Sequence, residues 1–479
     1  MRKLLTIVQQ NDTHGALVEH PELFWGSNGP FIRKVGGFAK IAQFVKGLRA
    51  QNENVLFVDG GDLFHGTAPL VFSKGESILP LLEKLSLDAF VPGNWDFAYG
   101  KEQLISLANR LPFSTLACNV FDEQKNEPVF VPYEVKETGN VKVGMIGLTY
   151  PYVDVTMPKS FSAGLLFNKG IEQLPYIIQM LKAASVDVVV LISHMGLPLD
   201  VKLASMITGI DVILSGHSHD RVIKPIFTNN TVIVQAGSSS SFVGQLVVGL
   251  ENKRMTSVDY QLIPLKAGEY QDDGEISMLV DQILAPYQSM RENIIGATKT
   301  LLHRATLNEA PMDKLITEAY LHHYGADVAF SHGWRYGTPI LPGAITEYDL
   351  NQIIPANPEI FLIELTGEQL LKALENNLEQ VFSADPFEQK GGYILRSSGL
   401  YMTFKPYNPK GHRIQTATIN GRGFTLGDRY KIVSAGQQIL KNFENEKTYQ
   451  NTKAIDVIKE YIRVKQTVEL DLTQKIISV

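Results

Sequence analysis

The feature that most constrains the fold is one order of three kinds of sequence segment, which repeats through residues 1–265. A short β-branched run ends at a polar, glycine-containing segment, and an amphipathic stretch follows. The predicted strands are Leu4–Gln9, Val55–Asp59, Ala89–Val91, Val141–Leu148, Val186–Ser193, Val212–Leu214 and Thr231–Ala236. The predicted helices are Gly37–Ala50, Ser77–Leu87, Lys101–Leu111 and Ile171–Ala184. This alternation predicts a layered α/β domain, and open α/β sheets place their ligand sites just after the strands.

A second domain is expected because 479 residues exceed what one core holds, about 250–300. Apolar residues at helical spacing between Gly274 and Met290 predict a helix that links two domains. The α/β pattern then restarts, with helices at Ala310–His323 and Thr366–Val381 and strands at Glu359–Leu365, Gly399–Phe404, Gln415–Ile419 and Tyr430–Val433. The predicted boundaries are 1–265 for the first domain, 266–295 for the linking helix and 296–479 for the second domain.

Composition excludes several classes of partner. The 44 Lys and Arg residues against 50 Asp and Glu give a formal charge of −6 without a basic block, which argues against nucleic acid and anionic membranes as partners. The longest apolar runs, such as Val186–Ile192, are far shorter than the ~20 residues that cross a bilayer. The single cysteine, Cys118, cannot form an internal disulfide or a cysteine-based zinc site. No leader precedes the first strand, so a cytoplasmic location is predicted, or a periplasmic or extracellular one if a leader was removed.

Five polar segments directly follow predicted strands and contain side chains that bind metals. They are Asn11-Asp12-Thr13-His14-Gly15, Gly60-Gly61-Asp62, Gly93-Asn94-Trp95-Asp96-Phe97, Ser193-His194-Met195-Gly196 and Gly216-His217-Ser218-His219. Taken singly, each histidine has an ordinary structural interpretation, and Asp62 alone suits a turn or a helix cap. Five such segments in one domain instead predict a site for two divalent cations. Imidazole and carboxylate ligands together favour Mn, Zn, Fe or Ni, and the identity stays open.

These motifs resemble the calcineurin-like metallophosphoesterase superfamily, and the second domain makes the chain similar to the 5′-nucleotidase family within it. The resemblance implies a four-layer α/β/β/α N-terminal domain, a C-terminal α/β domain of the 5′-nucleotidase type, and substrate binding in a cleft between them. It also implies two groups of metal ligands with Asp62 shared, namely Asp12, His14, Asp62 and His219, and Asp62, Asn94, His194 and His217. Two cations about 3.5–4 Å apart lower the pKa of a water and neutralise charge on the oxygens being displaced.

Trp95 departs from the superfamily pattern, which usually has a histidine after the asparagine that binds the transition state or protonates the leaving group. Indole has no titratable group in the useful range, so the acid is lost or moved. His65 is a candidate replacement, although a loop histidine without a role is the simpler interpretation. Asn94, His65 and Asp96 are the predicted catalytic residues.

Trp95 and the second domain are similar to the SoxB thiosulfohydrolases, a branch of the same two-domain family. The second-domain segments that carry the likeness are Phe330–Thr338, Leu341–Gly343 and Val381–Gly392. The predicted substrate-binding residues are Arg335, Arg396, Tyr393 and Trp95. Arg335 is expected to face the metals and hold an anionic substrate, with an ordinary salt bridge as the alternative for both arginines. The aromatic segment that nucleotidases use against the base is missing after Ser434–Gln438, so stacking of a base on Tyr393 is in doubt.

Three functions are therefore carried forward. The leading hypothesis is a two-metal hydrolase of phosphate monoesters or related anionic esters, nucleotides among them, resembling a 5′-nucleotidase. The second is a SoxB-like thiosulfohydrolase that releases sulfate from a cysteine-bound sulfur conjugate, in which case a carrier protein is a partner. The third belongs to another class: a non-catalytic module that binds a metal or a ligand.

Overall fold

A computed structural model describes residues 2–436 and 440–479. The chain divides into two compact units, Met1–Pro286 and Tyr287–Val479. The break therefore falls inside the predicted linking segment 266–295, whose outer bounds stay a prediction. Gln437 and Gln438, on which the predicted absence of a base clamp partly depends, lie outside the described residues.

Two six-stranded sheets form the centre of the first unit. In spatial order, the first sheet contains Arg254–Pro264, Phe242–Glu251, Lys3–Gln10, Val55–Asp59, Ala89–Phe90 and Ser114–Thr115. The second contains Ile226–Thr228, Thr231–Gln235, Val212–Ser215, Val188–Ser193, Val141–Leu148 and Tyr133–Thr138. Apolar side chains of both sheets, such as Ile7, Val58, Met145 and Val190, belong to one buried cluster. The sheets therefore pack face to face around a shared core.

Parallel pairing brings the polar segments to one edge of each sheet. In the first sheet Lys3–Gln10 runs parallel to Val55–Asp59, and Val55–Asp59 runs parallel to Ala89–Phe90. In the second sheet Val188–Ser193 runs parallel to Val212–Ser215, with Ile192 opposite Leu214. Because parallel strands end at the same edge, the segments that follow them meet there.

Helices complete the layers of the first unit. They are Phe38–Arg49, Ala68–Phe72, Leu79–Leu85, Lys101–Ala108, Val153–Thr156, Lys159–Ser162, Gln173–Ala183, Leu197–Met206 and Gly274–Leu284. Phe38–Arg49 packs on the first sheet, and Leu197–Met206 packs on the second. Two small two-stranded sheets pair His20–Gly26 with Gly29–Val35 and Val120–Asp122 with Leu165–Phe167. The predicted four-layer α/β/β/α domain is confirmed.

The second unit is also α/β, as predicted. Its five-stranded sheet contains, in spatial order, Tyr393–Ser398, Val328–Gly333, Arg429–Ala435, Glu359–Thr366 and Thr448–Lys453. Two smaller sheets contain Gly343–Thr346, Ile294–Thr298 and Thr467–Val468, and Arg422–Gly423, Ile414–Ile419, Leu400–Phe404 and Ile476–Ser478. The helices are Gln288–Glu292, Pro311–Tyr324, Glu347–Ile353, Gly367–Phe382 and Ala454–Lys465.

The predicted linking helix differs most from the structure. Gly274–Leu284 is a helix, but Ala285–Tyr287 is a short 3-10 turn and Gln288–Glu292 is a separate helix. Gly274–Leu284 packs on the helices Phe38–Arg49 and Leu79–Leu85, because Ile276, Val280 and Ile283 form its buried face. It is therefore a helix of the first unit. No helix among residues 2–436 and 440–479 is long and apolar enough to span a membrane.

Candidate metal centre

The first group of ligand side chains contains Asp12, His14 and His219, one oxygen or nitrogen of each lying within 4.8 Å of the others. His14 Nε2 lies 3.1 Å from His219 Nε2, and Asp12 Oδ1 lies 3.2 Å from His219 Nε2. Asp12 is fully buried, and its other oxygen accepts hydrogen bonds from Asn11 Nδ2 and from the His217 backbone N–H. The free edge of its carboxylate is thus directed at the two imidazoles.

The second group contains Asp62, His194 and His217, with Asn94 beside it. His194 Nε2 lies 3.4 Å from Asp62 Oδ2 and 3.3 Å from Asn94 Oδ1. His217 Nδ1 lies 2.8 Å from Asn94 Oδ1. The other nitrogen of His194 lies 2.5 Å from the Gly60 carbonyl oxygen, which leaves Nε2 for the cluster.

Asp62 connects the two groups. Its Oδ2 atom lies 3.7 Å from His14 Nε2 of the first group as well as 3.4 Å from His194 Nε2 of the second. Its Oδ1 atom accepts a hydrogen bond from the Trp95 backbone N–H. All seven predicted metal ligands are therefore brought together, and Asp62 occupies the shared position that the resemblance implies.

The electrostatics of this arrangement fit cations. Burial lowers the pKa of His14 to about 4, although Asp62 and Asp12 oppose the shift. Burial also acts against a charged His194, but the Asp62 and Asp12 carboxylates outweigh it and raise the pKa to about 10. The Nε2 atoms of His14 and His219 lie 3.1 Å apart beside the buried carboxylates of Asp12 and Asp62, so nitrogen and oxygen donors converge on one point. The donor set of imidazoles, carboxylates and one amide oxygen suits two divalent metal ions of the first transition row.

The backbone at the ligands is strained. Asp12, His14, Asp62, His217 and His219 have φ between 47° and 70°, in the left-handed region that residues other than glycine rarely adopt. Such conformations cost about 1–3 kcal/mol each and persist where the surroundings enforce them. Here the Asp12 N–H donates to the Gly61 carbonyl oxygen and the His14 N–H donates to that of Asp62, which ties the two ligand loops together.

Asp96 differs from its predicted catalytic role. It is fully buried, and its two oxygens accept hydrogen bonds of 2.7–2.9 Å from the backbone N–H groups of Asp62, Leu63, Phe64 and Gly93. Its carboxylate is occupied by the backbone of the two ligand loops. We therefore correct the prediction: the contacts of Asp96 make it a residue that positions Asp62 and Asn94.

His65 and Trp95, also predicted to act on the substrate, stack on each other. Their ring centroids are 4.7 Å apart and their planes are inclined by 14°. Phe161 packs edge-on against Trp95, and Tyr99 is inclined against His65. His65 is 3% exposed, and burial lowers its pKa to about 3. The stack lies directly beside the metal cluster, since the Trp95 N–H donates to Asp62.

Tyr150 contacts the metal cluster but was not predicted from the sequence. Its ring stacks on His217 with centroids 4.1 Å apart, and Tyr152 packs edge-on against it. Tyr150 follows the strand Val141–Leu148 by two residues. The same rule that identified the metal ligands, a polar segment directly after a strand, applies to Thr149-Tyr150 and was the available signal.

In the second unit, Tyr393 lies between the two predicted substrate-binding arginines. The guanidinium carbons of Arg335 and Arg396 lie 5.7 Å and 5.4 Å from the centre of its ring. Arg335 is partly exposed and donates to the Gly391 carbonyl oxygen at 3.3 Å. Its predicted orientation towards the metals stays a prediction.

Arg396 does not fit the prediction that it binds substrate. It is 1% exposed, and it donates to the carbonyl oxygens of Leu307 and Thr306 at 2.5 Å and 2.7 Å. Its Nε lies 3.6 Å from Asp313, which also pairs with the buried Arg304. Both terminal nitrogens of the guanidinium are thus bonded to backbone carbonyl oxygens inside the second unit. The expected alternative, a surface salt bridge, is wrong as well, because the network is buried.

Two family models match the chain. Residues 5–221 match the calcineurin-like phosphoesterase family, and residues 294–436 match the 5′-nucleotidase C-terminal domain. Together they cover the metal cluster and most of the second unit.

Two relatives and one solved structure are similar to this chain over most of its length. The chain is 23% identical to a 5′-nucleotidase of Vibrio cholerae over 98% of this chain and 91% of the relative. It is 24% identical to the trifunctional nucleotide phosphoesterase YfkN of Bacillus subtilis over 90% of this chain, but spans only 31% of that longer protein. The structure of the sulfate thiohydrolase SoxB of Thermus thermophilus superposes with a TM-score of 0.92 at 26% identity, covering 99% of this chain and 96% of SoxB.

Proposed function

We propose that this chain, whose residues 5–221 match the calcineurin-like phosphoesterase family and whose residues 294–436 match the 5′-nucleotidase C-terminal domain, is a metal-dependent hydrolase of phosphate monoesters, nucleotides among them. The observation that carries the proposal is the convergence of two ligand groups on Asp62, with Asp62 Oδ2 3.7 Å from His14 Nε2 and 3.4 Å from His194 Nε2. Asp12, His14, Asp62 and His219 would hold one divalent cation, and Asp62, Asn94, His194 and His217 the other.

The chain's own residues explain how such a site would be kept ready. When bound, the cations would lower the pKa of an attacking water and neutralise charge on the phosphate oxygens. The carbonyl oxygen of Gly60 fixes His194, the ring of Tyr150 supports His217, and Asp96 holds the loops of Asp62 and Asn94. Arg335, with a planar guanidinium suited to a pair of anionic oxygens, would orient the substrate. A small anionic substrate and a cytoplasmic location remain predictions.

The test is turnover by protein freed of metal with a chelator and then reconstituted with Mn²⁺, Zn²⁺, Fe²⁺ or Ni²⁺. We expect release of phosphate from a panel of nucleoside monophosphates and aryl phosphates that depends on added metal. Asp62→Ala removes the shared carboxylate and should abolish both metal binding and turnover. Equal phosphate release by the wild type and Asp62→Ala would contradict the proposal.

A thiosulfohydrolase activity is the second candidate, because Trp95 stands where a proton donor is expected and SoxB superposes over nearly the whole chain. The likeness to a sulfate thiohydrolase supports a sulfur ester as substrate, and a carrier protein as partner stays a prediction. The measurement is release of sulfate from a peptide with an S-sulfonated thiol on cysteine, by the same Mn²⁺-loaded protein. Phosphate release without any sulfate release would reject this candidate and retain the first.

A further inference from the structure

The side chain of Met157 lies against Asn94, the amide that we place among the ligands of the second cation. Asn94 Nδ2 donates to Met157 Sδ at 3.5 Å. Asn94 Oδ1 faces the metal cluster, 2.8 Å from His217 Nδ1 and 3.3 Å from His194 Nε2. Both side chains are buried, since Asn94 is 4% exposed and Met157 is 6% exposed. The amide of Asn94 therefore lies between a sulfur atom and the cluster.

The two ends of the Asn94 amide have nearly the same shape but opposite hydrogen-bonding character. The oxygen accepts hydrogen bonds and binds cations, whereas the NH₂ group only donates. The nitrogens of His194 and His217 do not decide which end faces them, because an imidazole nitrogen either donates or accepts. Met157 does decide, because a thioether sulfur accepts weakly and carries no proton. Contact with Met157 therefore favours the NH₂ end on the sulfur side and the oxygen on the cluster side.

The backbone fixes the place from which the Met157 side chain projects. Met157 separates the short helices Val153–Thr156 and Lys159–Ser162. Pro158 disfavours helical backbone in the residue before it, and Met157 is extended, with φ −102° and ψ 167°. The Met157 N–H also donates to the Val153 carbonyl oxygen at 3.1 Å. The first helix therefore ends at Met157, and the side chain leaves the helix from a defined conformation.

Aromatic residues before and after Met157 in the chain contact the same metal cluster. Tyr150 stacks on His217 with ring centroids 4.1 Å apart. Phe161 packs edge-on against Trp95 with ring centroids 6.0 Å apart. Together with the contact of Met157 itself, one stretch of chain touches the ligand loops at three places. These contacts hold the thioether in position, although a methionine side chain is flexible by itself.

We propose that Met157 is a positioning residue of the metal centre: its sulfur holds the Asn94 amide so that Oδ1 faces the second cation. The inference rests on the proposed function, in which Asn94 is a ligand of that cation. An amide turned the other way directs N–H groups at the cation and places its oxygen against an atom that cannot donate. A ligand that is already oriented loses less freedom when it binds. Met157 therefore strengthens binding of the second cation and leaves that of the first unchanged.

Met157→Leu is the first test, because leucine fills a similar volume without offering an acceptor. Calorimetric titration of the chelator-treated full chain with Mn²⁺ measures the affinity for each cation. Residues that hold metal ligands typically contribute about 10–100-fold to affinity, and the weak thioether acceptor belongs at the lower end of that range. We therefore expect affinity for the second cation to fall by about 10-fold.

Two backgrounds distinguish the cations. His14→Ala removes a proposed ligand of the first cation only, and His217→Ala removes one of the second cation only. Adding Met157→Leu should weaken the remaining Mn²⁺ site by about 10-fold in the His14→Ala protein, because that site contains Asn94. The same addition should leave Mn²⁺ affinity unchanged in the His217→Ala protein.

Two further variants separate the hydrogen bond from packing. Met157→Gln returns an acceptor at a similar distance along the side chain, and we expect it to restore affinity for the second cation. Met145→Leu makes the same chemical change as Met157→Leu in the core of the first unit. We expect Met145→Leu to leave the affinity for both cations unchanged, whatever its effect on the thermal midpoint.

The orientation of the amide is measured directly in the wild type, without a variant and without turnover. The full chain is labelled with ¹⁵N in asparagine and ¹³C in the methionine methyl groups, and is loaded with Zn²⁺, which is diamagnetic. We expect a nuclear Overhauser effect between the Asn94 Nδ2 protons and the Met157 methyl group. Its absence would overturn the inference, and this measurement decides if Met157→Leu fails to fold.

The results separate failure of the inference from failure of the proposed function. Unchanged affinity for the second cation in Met157→Leu would overturn the inference, while metal-dependent phosphate release by the wild type would still support the proposed function. Equal losses in the His14→Ala and His217→Ala backgrounds, or with Met145→Leu, would also overturn the inference, because they would show a general effect of packing. A wild type that binds no metal would overturn both.

Discussion

A single carboxylate, that of Asp96, holds the two loops that carry Asp62 and Asn94. Its Oδ1 atom accepts from the Leu63 and Phe64 N–H groups, and its Oδ2 atom accepts from those of Asp62 and Gly93. The loops approach so closely that a Cβ atom on Gly93 would lie 2.2 Å from Asp62 Oδ1. Mutation of the partners that hold metal ligands typically costs about 10–100-fold in metal affinity or activity.

Asp96→Asn tests this clamp. An amide offers one acceptor oxygen, so two of the four buried N–H groups lose their partner, each at about 1–3 kcal/mol. We expect the free energy of unfolding to fall by roughly 2–6 kcal/mol. We also expect the affinity for Mn²⁺ to fall by about 10–100-fold. Urea unfolding and calorimetric Mn²⁺ titration measure the two effects.

Asp273→Asn is the matched control for that change. Asp273 caps the helix Gly274–Leu284, and both of its backbone bonds go to Oδ1, so an asparagine retains them. We expect a much smaller loss of stability and unchanged Mn²⁺ affinity. Equal effects of the two substitutions would reject the clamp.

Asp200 predicts a pH dependence of stability. It is fully buried, accepts a hydrogen bond from Ser193 Oγ, and burial raises its pKa from 3.8 to about 7. Because the folded pKa exceeds the unfolded value, the folded state binds more protons between these pKa values, and stability falls as pH rises from about 4 to about 7. Asp200→Asn should therefore gain stability relative to the wild type across this window. Urea unfolding of both metal-free proteins at pH 5 and pH 8 measures the difference between their free energies of unfolding. The same difference at both pH values would contradict the prediction.

At the residue scale, the sequence predicted which side chains come together where a metal-binding residue type directly follows a strand. Asp12, His14 and Asp62 follow strands and carry metal-binding groups, so type and position indicated the same role. Arg396 and Asp96 were misassigned because a charged residue type does not tell which way its side chain points. The packing of the surrounding loops decides that.

At the scale of elements, a buried charge network joins a helix, a strand and a loop in the second unit. Asp313, on the helix Pro311–Tyr324, lies 3.2 Å from Arg304 Nε and 3.6 Å from Arg396 Nε. Arg304 also donates to the carbonyl oxygens of Tyr336 and Ile353. The network therefore anchors the segment that carries Arg335.

Asp313→Asn should destabilise the second unit strongly. It leaves two buried guanidinium groups without a countercharge, and breaking a buried pair costs about 3–5 kcal/mol. Thermal unfolding followed by hydrogen exchange of second-unit peptides measures the loss. Glu364→Gln is the control, because its pair with Arg429 is exposed and exposed pairs contribute only about 0–1 kcal/mol. Similar losses for both variants would contradict the role of the network.

The elements that could be predicted are those with a clear hydrophobic period. Val55–Asp59 and Val141–Leu148 were predicted with their observed bounds, and Pro311–Tyr324 within one residue. The long pair Phe242–Glu251 and Arg254–Pro264 was missed: Arg254–Pro264 mixes polar and apolar residues and only Tyr260 is buried, whereas Phe242–Glu251 is apolar and mostly buried and could have been predicted. Phe242–Glu251 also pairs with Lys3–Gln10, so residues near the start and near the end of the first unit's sequence lie side by side.

At the scale of the whole molecule, the two units have separate cores. One buried cluster contains Leu56 and Val190, and the other contains Phe361 and Leu374. Every side chain of the metal cluster lies in Met1–Pro286.

Metal should therefore protect the first unit selectively. Mn²⁺ at 100 times its Kd adds about 2.7 kcal/mol to the stability of whatever binds it. We expect hydrogen exchange to slow in peptides from Met1–Pro286 when Mn²⁺ is added to chelator-treated protein, and to stay unchanged in peptides from Tyr287–Val479. Equal slowing in both units would contradict the prediction.

The contact between His14 and His219 spans 205 residues of chain. Closing so long a loop carries an entropic cost that is met only when the intervening strands have paired. Synthesis proceeds from the N-terminus, so a nascent chain that ends before His219 lacks one of the four proposed ligands of the first cation. A complete site for the first cation is thus expected only after His219 has been synthesised and the strands between the two histidines have paired.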